Sequence, residues 1–219
     1  MDTHNAQPRQ LHHVYWLGGG SGAGKSTLAR RLADAYDLHL YSTDEAMSDH
    51  GRRCTPDDSP LLEIFKEMDM DERWVNRPPQ TMLDTFHWFQ GEGFHLIVED
   101  LLQLPPERGV LVEGFRLLPH RVKPWLYRTQ GIWLIPTPTF RRMAFTCRGT
   151  LWNIAGRTSD PQRALEQLLE RDRLFTDRIE REAQELGLPT IAVHRSLREE
   201  ELAALVATKL GLKRLHEGG

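Results

Sequence analysis

The chain has 219 residues, about one and a half times a usual domain, which favours one medium domain with insertions over two full ones. Its 28 positive and 31 negative side chains give a formal net charge of -3, which argues against wholesale binding to nucleic acid or to an anionic membrane surface. No apolar run approaches the roughly 18 residues that span a bilayer. The two cysteines, Cys54 and Cys147, lie far apart and no secretory signal pattern precedes them, so a reduced, cytoplasmic protein is expected.

Residues 1–10 are polar and read as a frayed tail, as does the Glu217-Gly218-Gly219 end. Val14-Tyr15-Trp16-Leu17 is a short apolar run closed by glycines, a buried strand, and Leu28, Leu32 and Ala35 mark the helix after it. Leu38 to Tyr41 gives a second strand. From Ser48 to Gln80 the pattern is weak and carries Pro56, Pro60, Pro78 and Pro79, which predicts an inserted, mobile region beside the site. Met82, Phe86, Phe89, Ile97 and Leu101 have helical spacing between Thr81 and Leu104, with Gly91 and Gly93 as a break or kink. Three more strands follow at Val110 to Val112, Ile132 to Ile135 and Thr190 to Val193. Asp160 and Pro161 open a helix whose apolar stripe includes Leu165, Leu168, Phe175, Ile179 and Ala183, and Gly187 and Pro189 end it. Ser196 with Glu199 predicts a capping box for a last helix bearing Leu202, Leu205, Val206 and Leu210. Strands that alternate with helices imply an α/β fold with a parallel sheet covered on both faces.

The chemistry concentrates in the first loop. Gly19-Gly20-Ser21-Gly22-Ala23-Gly24-Lys25-Ser26 satisfies the phosphate-loop pattern G-x-x-x-x-G-K-[ST], between a predicted strand and a predicted helix as that pattern requires. Its glycines let successive backbone N–H groups point inward at phosphate oxygens, and the helix adds its positive end there. Lys25 is expected to reach the β- and γ-phosphates of ATP, and the Ser26 hydroxyl to ligate Mg²⁺. Thr27 is expected to pack beneath the loop. Gly18, Gly20 and Ala23 also satisfy G-x-G-x-x-A, the dinucleotide pattern, but such a loop has no use for the Lys25-Ser26 pair.

Two carboxylates stand at strand ends, where ligands sit in an open α/β sheet. Glu113 ends the third strand and is expected to hold a magnesium-bound water or a substrate group, the alternative being an exposed strand-end charge. Asp44 leaves the second strand in Ser42-Thr43-Asp44, where it can orient an attacking hydroxyl and accept its proton, or cap a helix, or both. No Asn-Lys-x-Asp guanine signature occurs, and Ile97-Val98-Glu99-Asp100 only faintly echoes a motor-type magnesium strand within a helical stretch.

The phosphate loop, Tyr41-Ser42-Thr43-Asp44, and Val112-Glu113-Gly114 leading to Leu117-Leu118-Pro119 together resemble the small-molecule kinases of the phosphate-loop class, most closely 2-phosphoglycerate kinase. The resemblance also takes in Phe89-Gln90-Gly91 to Leu101-Leu102 and Ala183 to Pro189. It implies one kinase domain over residues 11–215, sheet order 2-3-1-4-5, an insert on the substrate side at 45–80 and a lid at 138–159. The family pattern has an arginine shortly after the aspartate, where this chain carries Ala46 and Met47.

Arginines outnumber lysines 23 to 5, and their positions sort them. Arg171, Arg178 and Arg181 alternate with acids on a predicted helix and read as a solvated, ion-paired face. Arg141, Arg142, Arg148 and Arg157 fall in a stretch with no acid from Ile135 to Ser159. In similar kinases lid arginines there clamp the transferring phosphoryl group, so Arg141, Arg142 and Arg148 are expected to be catalytic. Arg52, Arg53 and Arg116 are expected to bind the substrate, which points to a small, anionic hydroxyl compound as phosphoryl acceptor. A nucleoside or nucleotide kinase and a regulatory ATPase are the open alternatives. No metal-ligand spacing surrounds His12 and His13, and the tryptophans read as packing.

Overall fold

A computed structural model of the chain describes residues 10–148 and 150–213; of the frayed ends expected at residues 1–10 and 217–219, all but the exposed Gln10 lie outside the described residues. Strands β1 (Val14–Gly19), β2 (His39–Ser42), β3 (Val110–Glu113), β4 (Gly131–Pro136) and β5 (Thr190–Val193) form one sheet in the order β2-β3-β1-β4-β5. Every pairing is parallel, so the expected order holds and the fold is α/β of the phosphate-loop type. The helices are α1 (Lys25–Tyr36), α2 (Met47–Arg53), α3 (Pro60–Glu67), α4 (Met70–Trp74), α5 (Pro79–Thr85), α6 (His87–Gln90), α7 (Phe94–Gln103), α8 (Pro119–Val122), α9 (Pro138–Arg148), α10 (Thr150–Ala155), α11 (Pro161–Glu185) and α12 (Glu199–Leu210).

The period of two along each strand divides the core into two layers. Leu17, Leu111 and Leu134 face α1 and α12, where Leu28, Leu32, Val206 and Leu210 cover them. Trp16, Val112 and Trp133 face the other way, against Phe89, Ile97, Leu101, Phe175 and Ile179. Buried on both faces, the strands read as continuous apolar runs. Register then sets the site: Leu17 lies beside Glu113, and Glu113 beside Ser42, so β2 and β3 finish level and β1 runs two residues further, to Gly19, before the loop.

Three local expectations change. The stretch from Ser48 to Gln80 is largely helical, and Pro60 and Pro79 sit in the first turns of α3 and α5, where a missing N–H costs nothing. Its Trp74 and Val75 pack with Met82 against Ala155, Ala164 and Leu168, so this region forms a wall of the molecule instead of a loose insert. The helical spacing from Thr81 to Leu104 is cut into α5, α6 and α7, with Gly91 and Gly93 in left-handed conformations at the break (φ 82° and 67°). The last helix starts at Glu199. Ser196 is engaged by His194 Nδ1 at 2.8 Å, and Glu201 in place of Glu199 accepts the capping bond, from the Arg198 N–H at 3.1 Å.

Phe175 joins α11 to this architecture: it is fully buried and stacks on Phe89 with centroids 3.8 Å apart and planes 9° apart. Phe175→Ala is expected to cost about 3–5 kcal/mol in urea denaturation; a loss below about 1 kcal/mol would show that α11 is not anchored there.

Candidate active site

The strand-loop-helix unit is built as the sequence requires. Gly22 and Gly24 take left-handed φ of 79°, which turns the loop amides inward, and Gly24 caps α1 without a side-chain acceptor, leaving its first N–H groups facing the loop. Lys25, buried in the first turn of α1, curls back so that its ammonium donates to the Gly19 and Gly20 carbonyls at 3.1 and 2.9 Å. Thr27 is exposed on the outward side of that turn and does not pack beneath the loop.

The level strand ends bring the carboxylates to this loop. Glu113 is 1% exposed, and its two oxygens accept from Ser42 Oγ at 2.9 Å and Ser26 Oγ at 3.2 Å. Burial raises its carboxyl above the ordinary range and nearby Asp44 adds to this, against the pull of Lys25 and the two hydroxyls. An exposed strand-end charge is therefore ruled out. The donor set is hard oxygen, with no group of three or more His, Cys, Asp or Glu to form a cage among the described residues. It suits Mg²⁺ that takes the rest of its shell from phosphate and water.

Asp44 follows the β2 end in a turn held against β3. The Thr43 N–H donates to the Glu113 carbonyl at 2.9 Å. Gly114 has φ 146°, and a Cβ there would lie 1.8 Å from Thr43 Oγ1, so no other residue lets the two strand ends meet this closely. Asp44 lines the cavity and remains accessible from it, yet enough protein surrounds the carboxyl for desolvation to raise it, opposed by Lys25, Thr43 and Arg116. It is not a helix cap: α2 begins at Met47 after Ala46, without a side-chain cap.

Arg116 was expected to meet substrate and instead is an internal brace, 2% exposed, with its guanidinium 4.0 Å from the Trp88 ring centre. It donates to the Thr43 carbonyl at 3.3 Å, the Gly93 carbonyl at 3.2 Å and His50 Nδ1 at 2.8 Å. Because a guanidinium only donates, His50 Nδ1 is the acceptor and its Nε2–H donates to Asp100 at 2.8 Å, where the Tyr41 hydroxyl also donates at 2.6 Å. This chain fixes the carbonyl next to Asp44.

The other expected substrate arginines are paired elsewhere. Arg52, with its side chain 71% exposed, bonds Ser48 and Asp49, and Arg53 bonds Asp49, Glu99 and Asp100. Arg52 is paired along α2 and Arg53 with α2 and α7, and neither lines the loop cavity. In α9, Arg141 is buried and faces the α11 acids Asp177, Asp172 and Glu170, with its guanidinium pushed down mainly by burial. It does not line the loop cavity. Arg142 is exposed, and the Arg148 side chain lies outside the described residues.

A cavity of about 550 Å³ opens beside Ser21 to Ser26 and Asp44 and continues between aromatic rings of α3 to α6. Two of its residues escaped sequence reasoning. Arg171, taken for a solvated charge, is 6% exposed and sits 5.1–5.2 Å from the ring centres of Trp74, Phe86 and Phe89, bonded to Asp172 at 2.7 Å. The signal was present: both interrupt the apolar stripe of Leu168, Phe175 and Ile179 at its buried spacing.

No family model matches the chain, and no curated protein matches it. Among solved structures it is similar to an uncharacterized protein from Eubacterium ventriosum ATCC 27560, with 12% identity over 91% of this chain and 98% of that one and a TM-score of 0.48. It is also similar to a NadR protein in complex with NR, with 14% identity over 96% of this chain and a TM-score of 0.43; the chain spans 55% of that protein's length. Likenesses this distant carry no functional argument, and the resemblance to 2-phosphoglycerate kinase rests on the quoted motifs alone.

His87, buried in the cavity wall, has its imidazole pushed down to about 3, first by burial and then by Arg116, and is neutral. An unfolded imidazole titrates near 6.5, so as the pH falls the unfolded state binds the proton first. The contribution of His87 to stability is present above about pH 6.5 and falls as the pH drops from there towards 3. His87→Phe should reduce the loss between about pH 6.5 and 5 by about 2 kcal/mol in urea melts; an unchanged pH slope would contradict a neutral His87.

Proposed function

We propose that the chain is an ATP- and Mg²⁺-dependent phosphotransferase acting on a hydroxyl of a small molecule. The observation that carries this is the arrangement around one cavity: the loop with Lys25 and Ser26, and Asp44, line it from the ends of β1 and β2, and Glu113 at the end of β3 lies behind Ser26. The loop amides would hold a triphosphate with Lys25 on its outer phosphates, and Ser26 with Glu113 would hold Mg²⁺, which would supply charge neutralisation for the transferring phosphate.

Asp44 orients the acceptor hydroxyl and takes its proton. The acceptor oxygen bonds to the γ-phosphorus, the bond from that phosphorus to the β,γ-bridging oxygen breaks, and ADP leaves. A carboxyl raised by burial is a stronger base than an ordinary aspartate, which suits this transfer. Arg116 and His50 act on Asp44 through the Thr43 carbonyl as positioning residues. Arg142 and Arg148 remain the α9 arginines proposed to face the transferring group, with Arg141 directed to α11.

An ATP-consumption screen across pools of hydroxyl compounds tests the proposal. With an accepted compound, Lys25→Ala should lower turnover by about 10²–10³-fold with the fold intact by circular dichroism; unchanged turnover would refute the loop assignment. Asp44→Asn should lower kcat by about 10²–10⁴-fold and leave the KM for ATP within about twofold. Because Asp44 must be ionised and its carboxyl is raised, the wild-type rate should fall on acidification above the ordinary aspartate range. Loss of kcat and ATP affinity in proportion would contradict the base role.

A further inference from the structure

The end of the cavity away from the loop does not suit the anionic acceptor that the arginine skew suggested. Phe65, Trp74 and Phe86 pack against one another, with ring centres 5.4–6.2 Å apart and tilted or edge-on, as one continuous aromatic wall of the cavity, and Trp88 and Phe89 extend it. Arg171, its one cation among the described residues, is paired through two of its nitrogens: Nε and Nη2 both donate to Asp172 Oδ1, at 3.0 and 2.7 Å. Arg171 and Asp172 cancel in charge, and His87 beside them is neutral. A carboxylate or phosphate entering here would lose its hydration and meet a guanidinium whose charge Asp172 already balances.

Two polar atoms of the same wall nevertheless lack protein partners. Arg171 Nη1 and His87 Nδ1 are buried and unbonded among the described residues, whereas such groups in proteins are nearly always satisfied. Arg171 is more than nine-tenths buried, and its guanidinium is fixed by Asp172 and by three rings, so Nη1 is an unpartnered donor enclosed by the aromatic wall of the cavity.

We infer that this slot is the acceptor subsite and takes an uncharged compound with a planar aromatic or heteroaromatic ring, held by ring contacts and by one hydrogen-bond acceptor facing Arg171 and His87, with its hydroxyl directed to Asp44. The inference rests on the phosphotransferase proposal for the reaction and on the slot alone for the compound class. The acceptor gains a phosphoryl group, ADP departs and the hydroxyl proton passes to Asp44, as above.

The test uses the full chain with ATP and Mg²⁺ and three sets of probes: neutral ring alcohols (adenosine, uridine and 2-phenylethanol), anionic hydroxy acids (glycerate and 2-phosphoglycerate), and neutral alcohols without an aromatic ring (glycerol and ribose). Binding is read by quenching of tryptophan fluorescence, since Trp74 and Trp88 line the slot, and transfer by ADP release and product mass. The inference predicts that a ring alcohol binds and is phosphorylated with kcat/KM about a hundredfold above any acid. Phe65→Ala should raise its KM about tenfold, and so should Phe65→Leu, which keeps apolar volume without a ring. Preference for the acids, no binding of any ring probe at 10 mM, or an unchanged KM in both Phe65 variants would overturn it. Ring probes that bind in a Phe65-dependent way without transfer would uphold the slot and refute the phosphotransferase proposal instead.

Discussion

A carboxylate with 1% of its surface exposed is a costly object, and Glu113 is held by the hydroxyls of Ser42 and Ser26 with Lys25 nearby. Its place follows from the sheet. Parallel pairing of β1, β2 and β3 in this register leaves Leu17, Ser42 and Glu113 abreast, so the loop, the Asp44 turn and the buried carboxylate leave the sheet on one side. A cation shared by Ser26 and Glu113 would offset the desolvation of that carboxylate, and a phosphate-binding loop beside it would supply the rest of the cation's shell. Glu113 thus ties the stability of the strand ends to the proposed use of the cavity.

The Asp44 turn depends on a second constraint. Gly114 allows the two strand ends to touch, and Arg116 threads behind them to Thr43, Gly93 and His50. His50 passes this contact to Asp100, which also receives Tyr41 and Arg53. One chain of donors and acceptors therefore runs from the proposed base through the protein to an exposed ion pair on α2 and α7. Many of the arginines serve such internal ties and helix-surface pairs, and only Arg142 and Arg148 of α9 keep a proposed role at phosphate.

What was legible in the sequence was local. The apolar strands, the complete loop motif and the strand-end positions of Asp44 and Glu113 are each set by a few neighbouring residues, and the structure brings these together. The wall of the cavity was not legible, because it is assembled from α3 to α6 and α11, far apart in the chain. There Pro60 and Pro79 looked like breakers although they start helices. Partner choice was equally hidden: spacing shows which acids lie near Arg53 along one helix, but not that Asp100 of another helix reaches it. Arg171 and Asp172 illustrate both failures, since a charged pair in an acid- and arginine-rich helix reads as surface until its position in the apolar stripe is weighed.

The most direct measurement is a crystal structure of the chain with Mg²⁺ and a non-hydrolysable ATP analogue. The account predicts the cation on Ser26 Oγ, with the Glu113 carboxylate bound to it directly or through one water. The γ-phosphoryl group should lie between Lys25 and Asp44, facing the aromatic slot. A cation with no link to Ser26 and Glu113, or a γ-phosphoryl group directed away from Asp44, would contradict it.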